Sequence, residues 1–307
     1  LFTLLGVAWG IPYLLIKIAV GQLDPAMIFF SRTALAAVVL LPVAAARGEI
    51  RPVLRRWRPL LVYTVAELVI PQFLLGTAEE RLPSSTTGLL IAAVPLAGVG
   101  VAFLLGRPER LTRVNWAGIA VGMAGVALLA GFAVSAANLG PAGEVLVVVL
   151  CYALGPAVLS RWMPDESGLG VTAVALTITA LVYAPVVTAG HGWPARWPGA
   201  SVLVSLILLG LVCSAAALTI MALLIVEVGP VRATAVTYVN PAVALIAGAI
   251  VLGETVTGWS VAGFVLILAG CVLVARRGKG GGRGRPGTDS ELVISQPGQD
   301  LESARRG

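Results

Sequence analysis

Residues 83–95 read PSSTTGLLIAAVP, and residues 230–241 read PVRATAVTYVNP. Each is a proline-bounded apolar run with small polar residues among its members. Each leads to a glycine and a glutamate, Gly106 and Glu109 after the first, Gly253 and Glu254 after the second. Each then enters an apolar stretch bearing glycines, Gly118, Gly122 and Gly125 in one, Gly263 and Gly270 in the other. Pro95 and Pro241 stand 146 positions apart, while Glu109 and Glu254, Gly118 and Gly263, and Gly125 and Gly270 stand 145 apart. Upstream, Pro12 and Pro156 are 144 apart, and so are Lys17 and Arg161. Glycines and prolines in apolar helices can align by chance, but these matches keep one order at nearly one offset. The chain reads as one unit written twice.

Composition says what kind of unit. Of 307 residues, 58% are hydrophobic and only 12% charged, with a mean hydropathy of +0.95. A soluble domain is about 45–50% apolar and about 25% charged. Too little charge is available to wet the surface of a 31.5 kDa globule, which disfavours a soluble enzyme, a secreted disulfide scaffold and a disordered regulator. A helical membrane span needs about 20 apolar residues. Ten such stretches occur, at 1–20, 25–46, 59–77, 85–106, 114–133, 141–161, 170–190, 200–226, 231–252 and 257–275. They are continuously apolar, whereas barrel strands alternate over about ten residues. Residues 1–20 lack a basic leader region and a small-residue cleavage site, and a second span follows at once, so a membrane helix is expected there.

The expected fold is therefore all-α and integral to the membrane, with ten transmembrane helices as two five-helix repeats, 1–133 and 141–275. Five is odd, so two such units in series must cross the bilayer in opposite senses. That inverted design belongs to secondary transporters with a midplane site. The tail, 276–307, opens Arg276, Arg277, Gly278, Lys279, is rich in glycine and has little to bury, and is expected to be a disordered cytoplasmic segment.

Basic residues mark the cytoplasmic side of short loops. With the N-terminus inside, the inner loops carry Arg47, Arg51, Arg55, Arg56, Arg58, Arg107, Arg110, Arg113, Arg161 and Arg232, and the tail adds more. The outer loops hold only Arg81 and Arg196, and Lys17 and Arg32 fall within spans. Both termini are expected to be cytoplasmic. The net charge of +6 reports this orientation and not nucleic-acid binding, since no basic stripe with interleaved aromatics exists.

These residues resemble the drug/metabolite transporter superfamily, specifically its ten-helix EamA-type members. Ala8-Trp9-Gly10 followed by Lys17 is similar to that family's opening pattern. Arg32 stands in FFSRTALAAVVLLP, Ala78 and Leu82 lead to Ser84–Gly88, Pro95 follows, and Gly253-Glu254 forms the turn before the last helix. The likeness covers about 1–275. In the first repeat, Arg107 and Pro108 split the Gly-Glu pair, a departure confined to one loop. The resemblance implies an inner-membrane carrier of small organic metabolites, with export as the family tendency.

Charged side chains near the bilayer centre are costly and usually face a cavity. Glu67, about halfway along the third stretch, is the carboxylate expected to lie deepest. It is read as a proton-coupling or amine-binding group, or as a neutral or paired glutamate that staples two helices. Lys17 and Arg32 sit towards the outer ends of the first two spans, where such side chains snorkel to the interface, pair with each other's neighbours, or attract a substrate carboxylate. Paired through the repeat, Lys17 and Arg161 are candidate gate residues at opposite mouths. Glu109 and Glu254 are read as N-terminal caps of the fifth and tenth helices. Pro12, Pro71, Pro95, Pro156 and Pro241 interrupt helical hydrogen bonding, with Pro95 and Pro241 the expected bends beside a central cavity. Trp9, Tyr13, Gln72, Tyr152, Tyr238 and Asn240 complete the expected lining. Gly118-xxx-Gly122 permits close helix approach, within the fold or between two copies.

The single histidine, His191, falls in an outer loop, and Cys151, Cys213 and Cys271 lie singly in spans, without disulfide or metal spacing. No phosphate-binding glycine loop occurs, so no cofactor or metal is expected and a solute or proton gradient, or exchange, must supply energy. The reading is a secondary active transporter, not an enzyme, moving small organic metabolites across the cell membrane of a prokaryote by alternating access. Amino-acid-like solutes are the first expectation, because both signs of charge occur within spans. Its partners are a small-molecule substrate and the lipid bilayer, and it is a monomer or a homodimer. The competing reading is a membrane-embedded enzyme acting on a lipid-linked substrate, which needs a catalytic cluster at one membrane face.

Overall fold

Apolar side chains dominate every long run of this sequence, and in lipid a backbone must satisfy its own hydrogen bonds, so helix is the form each run takes. The computed structural model describes residues 1–104, 113–133, 139–189, 196–221 and 239–275, and among them there is no strand. Leu1–Arg276 gathers into one unit. Seven helices are long and apolar enough to cross a membrane: Thr3–Val20, Pro25–Ala46, Trp57–Glu79, Ser84–Val101, Leu139–Trp162, Gly168–Ala189 and Ala200–Met221. Three shorter apolar stretches, Arg113–Leu128, Ala242–Leu252 and Gly258–Leu273, lie in the helices Arg113–Ala133, Asn240–Leu252 and Gly258–Ala275. In chain order they are the ten expected spans. The expected tail, 276–307, lies outside the described residues, as do Glu109, His191, Arg232 and Tyr238.

Two boundaries differ from expectation. The third span runs on to Glu79 instead of ending at 77, which carries that glutamate inside the helix. Between the second and third spans, Ile50–Arg55 forms a short helix, preceded by a turn at Gly48, whose φ of 72° favours glycine.

Several helices are broken where proline forbids continuation. The first span stops at Gly10 and restarts with Pro12 at its first turn, a position that needs no amide donor. The fourth is interrupted by a turn at Ala92–Ala93, just ahead of Pro95. Pro156 instead sits inside an unbroken helix, Leu139–Trp162, and Pro71 opens the segment Ile70–Glu79. Asn240–Leu252 begins with Pro241 near its first position, and the residues that would form the other arm of that expected bend are not described. Two further interruptions are widened π turns, Val65–Val69 in the third span and Leu208–Ala216 in the eighth. These are matching spans of the two halves.

The contacts between helices follow the same exchange. The second span packs on the seventh, the fourth on the ninth and the fifth on the tenth, while the third packs on the sixth and the eighth on the first. Renaming spans one to five as six to ten returns the same pairs. The principal core joins Ile16, Phe29, Tyr183 and Leu209 from the first, second, seventh and eighth spans.

Lipid tails are as apolar as leucine, so helices associate here by close fit instead of by escape from water. The fifth and tenth spans show this best. A Cβ on Gly270 would lie 2.6 Å from both the Gly118 carbonyl oxygen and the Gly122 Cα, and one on Gly125 would lie 2.7 Å from the Gly263 carbonyl oxygen. The small-residue face of Gly118 and Gly122 is thus spent within the fold. Elsewhere Gly88 meets the Ala244 Cβ, 2.6 Å from where its own would be.

Candidate functional site

The π turn at Val65–Val69 is the local event around which polar groups collect. Such a turn adds a residue to the helical circuit and leaves backbone groups to find other partners. Tyr183, from the seventh span, donates its hydroxyl to the Val69 carbonyl at 2.8 Å. Within the turn, the Glu67 carboxylate lies directly against Gly155 of the sixth span, where a Cβ would collide with it. Its Oε2 is shut from solvent and has no hydrogen-bond partner among the described residues. Tyr63, Cys151 and Tyr152 are within electrostatic reach of that carboxylate.

The corresponding π turn in the eighth span holds Ser214, whose hydroxyl donates to the Leu209 carbonyl at 2.9 Å. The same hydroxyl oxygen accepts from Arg32 Nε, also at 2.9 Å. Arg32 therefore does not snorkel along its own helix. It reaches across to the second half, and Tyr13 and Tyr152 lie within range of its charge. Tyr152 stands in the fields of both Glu67 and Arg32.

The other expected lining residues are distributed as follows. Tyr13 is buried against Gly88 and the main core. Gln72 is 3% exposed and its Oε1 lacks a partner. Asn240 Oδ1 is likewise buried and unpartnered, and its carbonyl oxygen lies 3.0 Å from the Cβ position of Gly10. Trp9 packs instead beside Leu5, Ala8 and Ala217 at the junction with the eighth span. Of Pro95 and Pro241 the backbone alone is described, and Tyr238 lies outside the described residues.

Lys17 turns towards the third span. Its ammonium turns onto the end of the third span, donating to the backbone carbonyls of Glu79 and, at 2.8 Å, of Leu82. Carbonyls at a helix C-terminus lack amide partners and carry partial negative charge, so a cation is stable there. Its counterpart Arg161 stands exposed at the other end, with its guanidinium 5.9 Å from the Trp162 ring centroid.

Glu254 does not cap the tenth helix. Gly253, with φ 65°, swings the chain back, and the carboxylate accepts from the Ser84 amide at 2.7 Å, the Ser84 hydroxyl at 3.0 Å and the Ser85 amide at 3.0 Å. It thus caps the fourth span from across the molecule, while Thr257 supplies the acceptor for the Ser260 amide at 3.1 Å. Burial alone would raise the affinity of Glu254 for a proton, but the Ser85 and Ser84 donors outweigh it and hold the carboxyl below the usual carboxylate range. A group so shifted contributes stability above its ordinary pKa and loses it as pH falls through the folded value. Glu254→Gln is accordingly expected to lower the thermal midpoint at neutral pH, by about 1.5–3 kcal/mol of stability, and to shrink this difference from wild type as the medium is acidified. Melting curves across the acid range check both parts.

Sequence reasoning missed Glu79, which is 0% exposed with neither carboxylate oxygen hydrogen-bonded among the described residues. It is more enclosed than Glu67, which was expected to lie deepest. Ser214 and Tyr183 were missed as well. No short-range signal points to them, because each acts on a residue more than a hundred positions away.

The EamA-like transporter family model matches the chain twice, over residues 1–131 and 143–276. An uncharacterized inner membrane transporter of Escherichia coli K12, YedA, is 29% identical over 262 residues, covering 82% of this chain and 81% of its own. A probable terminal-alkyne amino-acid exporter of Streptantibioticus cattleyicolor is 28% identical over 273 residues, covering 88% and 91%. One solved crystal structure superposes with a TM-score of 0.62 at 22% identity, over 89% of this chain and 96% of the other, a likeness of fold. Two consecutive matches to one family model, on a bundle whose helix contacts survive exchange of its halves, make this chain a multi-pass membrane transporter of the EamA-like family.

Proposed function

We propose that the chain is a secondary carrier that moves small zwitterionic solutes of the amino-acid type across the cytoplasmic membrane by alternating access, in the direction of export. The observation that carries this reading is that Arg32 crosses to Ser214 of the eighth span while the Glu67 carboxylate lies against Gly155 of the sixth, with Tyr152 of that same sixth span within electrostatic range of both. Those two charges come from different helices and lie among apolar spans. A guanidinium suits a carboxylate and a buried carboxylate suits an ammonium, so the pair supplies both poles that an amino acid presents. Tyr13 of the first span lies within range of Arg32 and Tyr152, and Gln72 and Asn240 of the third and ninth spans add buried polar atoms that are unpartnered among the described residues. The relative in Streptantibioticus cattleyicolor, named as an amino-acid exporter, supports the same solute class. The halves acting as moving bodies are 1–133 and 141–275, and arginines concentrated in alternate loops support cytoplasmic placement of both ends.

Purified protein in sealed liposomes tests this directly. Labelled amino acids loaded inside are expected to leave down their gradient and to exchange with unlabelled amino acid outside. Glu67→Gln is expected to lose selectivity for the α-ammonium group, so that the wild-type preference for an amino acid over its des-amino acid disappears. Equal, undiscriminating leakage from protein-free liposomes, or turnover of a lipid without solute movement, overturns the reading.

A further inference from the structure

Carboxylates buried without partners are expensive when charged, and Glu79 is the most completely buried one among the described residues. Its side chain is 0% exposed, and among the described residues neither oxygen accepts a hydrogen bond. It lies at the last turn of the third span, where the expected outer mouth begins. The adjacent cation does not neutralise it by contact, for the Lys17 ammonium is held by the carbonyls of Glu79 and Leu82. The adjacent anion, Glu254, stays fastened to the Ser84 and Ser85 amides and offers Glu79 no donor.

We propose that Glu79 is a proton-binding site that controls the outer mouth, neutral and sealed when protonated, ionised and hydrated when the mouth opens. Its part in coupling rests on the carrier reading above. The proton leaves to water when the end of the third span parts from the first and fourth, and the freed carboxylate then competes with the two backbone carbonyls for the Lys17 ammonium. Closing reverses both changes. One proton is bound for each closure, with no other atom exchanged.

Other titratable groups surround Glu79. From the first span, Tyr13 and Lys17 face it, and from the sixth, Tyr152. Glu144 of the sixth span accepts from the Thr77 hydroxyl at 2.8 Å, and Asp24 accepts from the Ala26 amide at 2.8 Å. Glu254 is held ionised by its serine donors. Glu80 and Arg81 follow on the same chain as the helix ends.

A cysteine placed behind the mouth reads this gate without any solute. Thr87→Cys replaces a residue that is 0% exposed one turn below Ser84. In intact proteoliposomes its labelling by a membrane-impermeant maleimide is compared with that of Trp197→Cys, 92% exposed, which corrects for titration of the thiol. With Glu79 present, the corrected rate is expected to rise about tenfold per pH unit until it levels off. With Glu79→Gln it is expected to stay low and flat, and with Glu79→Asp the rise returns with a displaced midpoint. A second readout is the protonated-carboxyl infrared band, expected to lose one pH-dependent component in Glu79→Gln. An unchanged pH-dependence in Glu79→Gln, or a flat rate with Glu79 in place, overturns the proposal. A titrating gate in a protein that moves no amino acid would sink the carrier reading and leave the proton site standing. Amino-acid flux with a gate indifferent to Glu79 would do the reverse.

Discussion

Arg32→Ala is expected to weaken amino-acid exchange in proteoliposomes by about 30-fold to several thousand-fold in apparent affinity. That range is the cost of truncating one partner of a buried, hydrogen-bonded charge pair, about 2–5 kcal/mol. Among the described residues, the hydrogen bond recorded for Arg32 leaves through Nε to Ser214, so the terminal nitrogens of the guanidinium can fork onto a carboxylate. Arg32→Lys keeps the charge but loses the fork, and is expected to fall between wild type and alanine. The decisive comparison uses amino-acid amides, which lack the carboxylate. Wild type is expected to discriminate strongly against the amide, and Arg32→Ala to treat acid and amide alike. If Arg32→Ala weakens both equally while preserving their ratio, the guanidinium supports the fold and does not touch the solute.

Gly270→Val is expected to abolish a stably folded, monodisperse protein. Overpacking a well-fitted core ordinarily costs about 1–3 kcal/mol, and there the neighbours can turn their side chains. Here the added atoms meet the Gly118 carbonyl and the Gly122 backbone, so a whole helix must move. The fifth and tenth spans would separate, and with them the contact that joins the last helices of the two halves. Size-exclusion profiles and thermal denaturation in detergent measure this. Gly100→Ala is the control, since nothing lies within 4 Å of its Cβ position, and alanine is also the better helix former. A wild-type melting point for Gly270→Val would show that the close approach of these helices does not hold in solution.

Much of the fold was legible because hydropathy and the doubled spacing act over whole segments. Ten apolar runs and the matched Gly118 and Gly263 required no knowledge of contacts. The third span was cut short at 77 because Glu79, Glu80 and Arg81 look like a wetted end. What lets the helix continue is a set of distant neighbours, Lys17 above all, that no local window contains. Ile50–Arg55 reads as loop for a related reason, since its arginines mask Val53, which is buried with Leu60, Met163 and Val171. Glu254 was correctly seen as a helix cap and assigned to the wrong helix. Nearness in sequence favours the tenth span, whereas the left-handed turn at Gly253 aims the carboxylate at the fourth. For the site, choosing residues for being polar in apolar surroundings picks out Arg32, Glu67, Tyr13 and Tyr152, of which Tyr152 lies within electrostatic range of the first two and Tyr13 within range of Arg32. Their partners Ser214 and Tyr183 are common residues made special by where the π turns place them.

Those widened turns also fix the angular phase of everything downstream. One residue of an α-helix subtends about 100°. Deleting a single residue between Val65 and Val69 would therefore rotate the whole remaining segment, Ile70–Glu79, by roughly that angle. Gln72 and Glu79 would be turned off their present bearings, and exposed Phe73 would swing from the lipid flank towards the interior. The surplus residue in the circuit is thus what keeps the upper half of this helix pointing its few polar groups at other helices instead of at acyl chains.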